Sequence, residues 1–414
     1  MAKIIVAHPF RQHSFRLATA LNEENCLLSY CTTVYDKKGS LMGFVKKFLK
    51  GANLKKAAGR KCDAIEDNQV KLFCECRGYF ALLLNRICPF PNLNRTYQRY
   101  LYRSFGKKVA RFAMKQDADA VIMFDTTATA CFKLLKESHS DISCILDMAA
   151  ITRPYARKIY DEEEERLNIN IYSQQQKYLS NQRVMEYMNQ ELKFADIFLV
   201  ASKFVEDSLY FCGVNDKKIY TIPYGVDLNR FRPIRTNNET SKLKILYVGH
   251  VAYQKGVHYL LSAVKSLPQD TYVLDLYGMY SENDPLYGQI KKNSNVQLHG
   301  FVTPDKLPEI YCNADVFVFP STNDGYGLVV LESLACGTPV ISSRNAGACD
   351  LISEGVNGFC FDSGDVDKLA SDLEWCLKHK NQLKIMREAA VESVKNHTWE
   401  SYYKSILNVV SENF

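Results

Sequence analysis

The chain has 414 residues, 47% of them apolar and 24% charged. That is length for two or three domains with ample core, and a composition that excludes a disordered, collagenous or coiled-coil chain. The net charge of 52 − 46 = +6 divides unevenly: residues 1–235 hold 37 Lys and Arg against 25 Asp and Glu (+12), and residues 236–414 hold 15 against 21 (−6). No apolar run reaches the roughly 18–20 residues of a bilayer span. Ile4–Ala7 is too short for the apolar core of a secretory leader. The 14 cysteines contain no Cys-x-x-Cys, and they read as reduced, mostly buried thiols of a cytoplasmic protein.

In chain order, short apolar runs read as buried parallel strands at 3–7, 120–124, 143–146, 197–200 and 218–222, with helical stretches between them at 14–21 and 130–136. Ser14 reads as the cap of the first helix. A polar stretch around 232–241 has linker composition. The alternation then restarts, with strands expected at 244–248, 272–277, 296–298, 316–319 and 339–342, and an amphipathic helix carrying Val257, Leu260, Leu261 and Val264. The class is α/β: two Rossmann-like doubly wound domains in tandem with a cleft between them. The expected division is 1–230, a linker at 231–242, 243–397, and a C-terminal amphipathic helix at 398–414. Ligands of such sheets sit at the carboxyl ends of strands, which directs attention to His8, Asp125, Asp147, Ser202, Gly249, Gly278, Pro320 and Ser342.

The richest segment runs from Pro320 to Val340. Gly325 and Gly327, either side of Tyr326, open a helix after a strand, and the amides of Gly327, Leu328 and Val329 suit a diphosphate. Glu332 stands in an otherwise apolar helix, where a carboxylate needs a partner or a ligand. Asp324 precedes it by eight residues, so two acidic groups flank an anion cradle, a pattern suited to a nucleotide sugar. Gly249 and His250 end an earlier strand, and Lys255-Gly256 opens the following helix, where a lysine can face a leaving diphosphate.

These segments resemble glycosyltransferase family 4, whose retaining members have the GT-B fold. The resemblance rests on Val248-Gly249-His250, Lys255-Gly256, Gly300-Phe301, Ala314-Asp315-Val316-Phe317-Val318-Phe319-Pro320-Ser321, Asp324 to Glu332, Ala335-Cys336-Gly337-Thr338-Pro339-Val340, Gly355-Val356-Asn357-Gly358-Phe359 and Ile222-Pro223-Tyr224-Gly225-Val226-Asp227. It covers residues 195–365 strongly and the first 150 in outline. It implies that Glu332 binds ribose, Asp324 the donor hexose, and Lys255 with the amides after Gly325 the diphosphate, with Gly249, His250, Gly300 and Phe301 also at the donor. Asp324, Lys255 and Glu332 are the expected catalytic set. Asp324 stands where the family has Glu, and His250 where it has a phosphate-binding arginine, for which Arg11 across the cleft is a substitute. Arg11, His13 and Asp147 are acceptor candidates.

The implied activity is transfer of a hexosyl group from a nucleotide-diphosphate sugar to a hydroxyl of a glycan or lipid-linked acceptor, in surface polysaccharide or glycoconjugate synthesis. A nucleotide-sugar epimerase and a degenerate binding subunit are the alternatives. No metal or cofactor is expected: Asp117-Ala118-Asp119 precedes a strand and Asp365-Val366-Asp367 reads as an exposed helix start. Residues 37–61 carry nine Lys and Arg, no acid, and Leu41, Met42, Phe44, Val45, Phe48 and Leu49, which reads as an anionic-membrane surface. Residues 85–115 carry eight more basic groups among Tyr97, Tyr100, Tyr102 and Phe105; no nucleic acid is expected as partner. Asp161–Glu165 reads as a solvated helix start. The expected place is the cytoplasm, peripheral on the inner face of the membrane.

Overall fold

The computed structural model describes the chain except residues 1, 49, 89, 170–178, 180 and 235–239, and except the side chains of 52, 53, 55, 56 and 91. Leu49, the side chains of Lys55 and Lys56, and the middle of the expected linker therefore lie outside the described residues.

Seven strands form the first sheet: β1 (Ile4–Ala7), β2 (Leu27–Thr32), β3 (Val70–Leu72), β4 (Ala120–Phe124), β5 (Ser143–Met148), β6 (Ile197–Val200) and β7 (Lys218–Thr221). Their order is β3-β2-β1-β4-β5-β6-β7, all parallel. Six form the second: β8 (Leu243–Val248), β9 (Tyr272–Tyr277), β10 (Val296–Gly300), β11 (Val316–Phe319), β12 (Val340–Ser343) and β13 (Gly358–Phe361), in the order β10-β9-β8-β11-β12-β13, also parallel. Each order reverses at its centre, between β1 and β4 and between β8 and β11. The loops leaving those strands open a crevice at their carboxyl ends.

Successive residues of β1 serve two cores, as the pleat requires. Ile4 and Val6 join one cluster and Ile5 and Ala7 the other. The first cluster runs on through Tyr224, Val226 and Phe231 of the crossover into the second domain. The joint is thus packed with apolar groups and is more than a tether.

The crossover is double. Val226 N–H donates to the His397 carbonyl at 2.9 Å and bridges Thr398. A Cβ on Gly225 would fall 2.2 Å from the Thr398 carbonyl carbon, so only glycine lets the two crossings touch. The helix Trp399–Asn413 then lies on the helix Ser14–Glu23 of the first domain. Tyr403 accepts from Arg16 at 3.1 Å, and the same guanidinium stacks over Trp399.

Two local expectations change. Ser14 does not cap the first helix: it is the first helical residue, its hydroxyl bonded to Tyr30 at 2.9 Å, and His13 is the cap position. Asp161–Glu165 does not start a helix either. It lies in the second half of Arg153–Leu167, and Glu163 is buried. Glu163 accepts from the Tyr259 hydroxyl of the second domain, and Arg166 donates to Glu163, to Tyr259 and to the Ser363 carbonyl. The acidic run contains an interdomain contact because one face of that helix is turned to the other domain.

Candidate active site

The segment expected to hold a donor follows β11. Gly327 has φ +84, a left-handed conformation that glycine adopts freely, and it caps the helix Leu328–Ala335. A Cβ there would meet the Phe319 ring at 3.1 Å. Lys255 also lies over that ring, 5.9 Å from its centroid. Its Nζ donates to Asp324 Oδ2 at 2.6 Å, both side chains about three-quarters buried. Gly256 (φ +68) brings the two loops together, since a Cβ on it would fall 1.7 Å from the Pro320 carbonyl oxygen. The sequence-expected cation, carboxylate and glycine-capped helix N-terminus therefore meet around Phe319 and Pro320.

Glu332 lies on the same helix, half-buried, and accepts from the Tyr311 hydroxyl at 3.0 Å. Burial raises its pKa from 4.5 to about 7, against the opposing pull of that hydroxyl and of the Arg230 charge. A carboxyl this reluctant to ionise is poised for a polar ligand. Tyr311 and Arg230 come from elements with no motif of their own, so no spacing could have announced them.

Gly249, Gly278 and Gly300 end the neighbouring strands β8, β9 and β10, and Gly278 N–H donates to the Gly300 carbonyl at 2.8 Å. Phe301, just beyond, is 73% exposed. Leu328 is exposed and Val329 half-buried at the helix start. The ring of His250 is exposed, and its carbonyl accepts from the Tyr247 hydroxyl.

The first domain closes against this segment. Ser202 Oγ donates to the Gly325 carbonyl at 2.6 Å. A Cβ on Gly325 would meet the Ala149 carbonyl oxygen at 2.1 Å. Asn323 Nδ2 donates to the Tyr160 hydroxyl at 3.1 Å and Tyr326 OH to the Tyr224 carbonyl at 2.9 Å.

The acceptor candidates separate. His13 and Asp147 are joined at 2.8 Å, and His13 packs against Phe124 and Tyr224. Burial opposes a charge on His13, but the Asp147 carboxylate, with Asp125 behind it, outweighs burial and raises its pKa. Asp147 is 3% exposed, so this pair is a buried part of the joint. Arg11 turns onto its own domain, donating to the Gly59 carbonyl at 2.6 Å.

Beside the pair lies a group the motifs missed. Glu191 is buried, bonded to Arg153 Nη1 at 3.2 Å and accepting from the Thr126 and Ala128 amides. Burial raises Asp125 to about 7; Glu191 and Asp147 add to this, and Arg153 and His13 oppose it. Asp125, Arg153, Tyr160, Glu191 and Asn323 line a cavity of about 120 Å³. The Asp-x-Asp triplets stand apart from it. Asp119 accepts from the Lys3 amide, and Asp365 caps the helix Val366–Lys378.

Residues 230–393 match the family model of glycosyl transferases group 1. The second sheet and every expected donor residue fall inside that range. A sulfoquinovosyl transferase of Arabidopsis thaliana is 30% identical over 230 residues, 52% of this chain and 44% of that protein. An uncharacterised glycosyltransferase of Methanocaldococcus jannaschii is 28% identical over 273 residues, 62% of this chain and 68% of that one. Sucrose-phosphate synthase of Thermosynechococcus elongatus superposes with a TM-score of 0.70 at 17% identity, covering 100% of this chain and 99% of its own. HepE of Anabaena, crystallised with UDP, gives 0.65 at 16% identity over all of both chains. The fold is GT-B, two Rossmann-like domains about a cleft.

Proposed function

We propose that the chain is a retaining hexosyltransferase of glycosyltransferase family 4, moving a hexosyl group from a nucleotide-diphosphate sugar to a hydroxyl of a glycan or lipid-linked acceptor. The observation that carries this reading is the Lys255–Asp324 pair beside the Gly327-capped helix that also bears Glu332. A cation, a bank of free amides and two separated carboxyls match the diphosphate, the hexose and the ribose of one donor. The relatives' names and the UDP held by HepE support the same donor class.

In this reading Lys255 and the amides of Gly327, Leu328 and Val329 stabilise the charge that grows on the departing diphosphate. Asp324 holds hexose hydroxyls and Glu332 the ribose. The diphosphate itself takes the acceptor proton on the face it leaves, so the configuration at the anomeric carbon is kept. Lys255 supplies the positive charge, so the reading requires no metal or cofactor. The enzyme works at the cytoplasmic membrane face. Its support there is the exposed Leu41, Phe44, Val45 and Phe48 beside Lys47 and Lys50, among described residues that hold no helix long and apolar enough to cross a bilayer.

The test is release of nucleotide diphosphate from UDP-, GDP- and ADP-hexoses. Lys255→Ala and Glu332→Ala should each lower release tenfold or more, the usual worth of one positioned charge. Near-parental rates for both variants would overturn the site. Inversion at the anomeric carbon of the product would overturn retention.

A further inference from the structure

Two helices of the first domain, Glu75–Ile87 and Pro91–Lys115, follow each other after three residues and form a hairpin. Its base is fixed. A Cβ on Gly78 would fall 2.4 Å from Thr33 Oγ1, and Phe105, Val109 and Ala113 are buried in the core of the domain. Its tip is not: from Leu82 to Tyr100 no described residue is buried. Phe80 packs on Tyr97 with ring centroids 5.0 Å apart, and Gln98 Nε2 donates to Asn85 Oδ1 at 3.0 Å, so the two helices stay side by side.

Phe80, Leu83 and Ile87 stand at i, i+3 and i+7 on the first helix, one apolar stripe turned to solvent. Another face of the same helix, with Tyr79 and Leu82, packs on Val34, Met42 and Ala57. The helix is thus apolar on two sides, and its own domain covers one. At the tip, Ile87, Phe90 and Leu93 are 65%, 66% and 57% exposed. The second helix changes character along its length. Its exposed residues from Asn92 to Tyr100 are uncharged, and those beyond, Arg103, Lys107, Lys108, Arg111 and Lys115, are all basic. Residues 76–116 hold nine Lys and Arg and no Asp or Glu.

We infer that this hairpin enters an anionic lipid bilayer tip first, with Ile87, Phe90 and Leu93 among the acyl chains and the basic end of the second helix against the headgroup phosphates. The inference deepens the membrane-face part of the proposed function by naming the segment that penetrates, and it needs none of the transfer chemistry. The spacing suits a bilayer edge. At 1.5 Å per residue, Leu93 lies about 10 Å from Tyr100, and Tyr100 about 10 Å from Lys107. An interfacial helix sinks by about 5–10 Å, which places Tyr97 and Tyr100 at the headgroup level that tyrosine favours. Arg86, near the tip, lays its stem along apolar chains and keeps its charge in the headgroup layer.

Two other occupants fit less well. A second copy of the chain would set one acid-free basic face against another, since a two-fold interface pairs like with like. A nucleic acid would match the basic residues and stack on the tyrosines, but it has no use for exposed Leu83, Ile87 and Leu93.

The test is binding of the full chain to vesicles of phosphatidylcholine, with and without phosphatidylglycerol. Ile87→Ser/Leu93→Ser should weaken binding to the anionic vesicles tenfold or more, because two apolar side chains no longer leave water. Lys107→Gln/Lys108→Gln/Arg111→Gln should narrow the difference between the two vesicle types. All five residues are exposed, so melting temperatures should stay near the parent's. The indole of Leu93→Trp should add emission that lipids brominated on the acyl chain quench, beyond any quenching of the parent. The inference is overturned if that added emission is not quenched, or if Ile87→Ser/Leu93→Ser binds like the parent. It is also overturned if the same variant abolishes a dimer or the binding of a single-stranded oligonucleotide while vesicles do not bind. Loss of vesicle binding in Phe44→Ser/Phe48→Ser alone, with the tip variant binding normally, would keep the membrane reading and sink the hairpin. Nucleotide release without vesicles is read separately: its absence from every donor would sink the transferase reading and leave the hairpin standing.

Discussion

Single residues set the terms of the proposed chemistry, and Glu332 makes this measurable. Its pKa of about 7 in the folded chain, against 4.5 for an ordinary glutamate, means that between those values the folded state keeps a proton that the unfolded chain has lost. Its contribution to stability therefore falls as pH rises through that window and levels off above 7. Donor binding runs the other way, because the ionised carboxylate is the better acceptor for a ribose hydroxyl. Donor affinity should increase with pH through about 7, and Glu332→Gln should flatten the profile. Thermal-shift titrations from pH 5 to 9 would read it, and a profile that Gln leaves unaltered would refute the role. Gly256 offers a stability test at the same scale. A methyl group there meets the Pro320 carbonyl in a backbone conformation that alanine resists. Gly256→Ala should cost about 2–3 kcal/mol in urea unfolding; a loss under 0.5 kcal/mol would mean that the loops move apart freely.

At the scale of elements, the helix Arg153–Leu167 acts as a clasp. Glu163, Arg166 and Tyr259 form one hydrogen-bonded group between the domains, and the Glu163 carboxyl is buried in it. Tyr259→Phe removes the hydroxyl and leaves that carboxyl a donor short, at about 1–3 kcal/mol. We expect the variant to melt earlier and to show a larger radius of gyration by X-ray scattering. An unchanged radius would mean that the clasp does not hold the domains together.

The element scale also shows what could be read in advance. Most of the ten expected strands were legible because each is a short apolar run, and β1, β4, β6, β11 and β12 are buried on both faces. β2 was not, since Ser29, Tyr30 and Thr32 break its apolar pattern. β3 has three residues, and β13 starts at Gly358 inside what resembles a loop. The clustering of the candidate donor residues was legible because one contiguous segment carries their glycines and carboxyls. Tyr311, Glu191 and Arg153 were not, because each takes its meaning from a partner far away in the chain. The acidic run misled for the same reason: nothing local marks Glu163 as the residue that turns inward.

For the whole molecule, the charge division has a clearer cause. The excess of +12 is not all on the surface in usable form. Lys46 pairs with Asp36 at 2.6 Å, Lys37 donates to the Asp67 and Val70 carbonyls, and Lys61 lies 3.6 Å from Asp67. The apolar side chains are the better marker: Phe44 and Phe48 are 60% and 72% exposed, with Leu41 and Val45 exposed beside them. Single exposed apolar residues are ordinary, but such a concentration in one part of a domain is not. Binding to vesicles containing anionic lipid should therefore weaken, but not vanish, in high salt, and Phe44→Ser/Phe48→Ser should reduce it tenfold or more. Equal sedimentation with neutral and anionic vesicles would refute the electrostatic part.

The return of the helix Trp399–Asn413 onto the helix Ser14–Glu23 has a consequence for biosynthesis. Arg16 meets Tyr403 387 positions later in the chain. During translation, the first domain is fully made while the side chains that cover its first helix are not yet in existence. It must wait with that apolar face bare until nearly the whole second domain has emerged. Such long-range closure is slow and leaves sticky intermediates. Residues 1–230 produced alone should accumulate as aggregate, and supplying 399–413 as a separate peptide should recover soluble material.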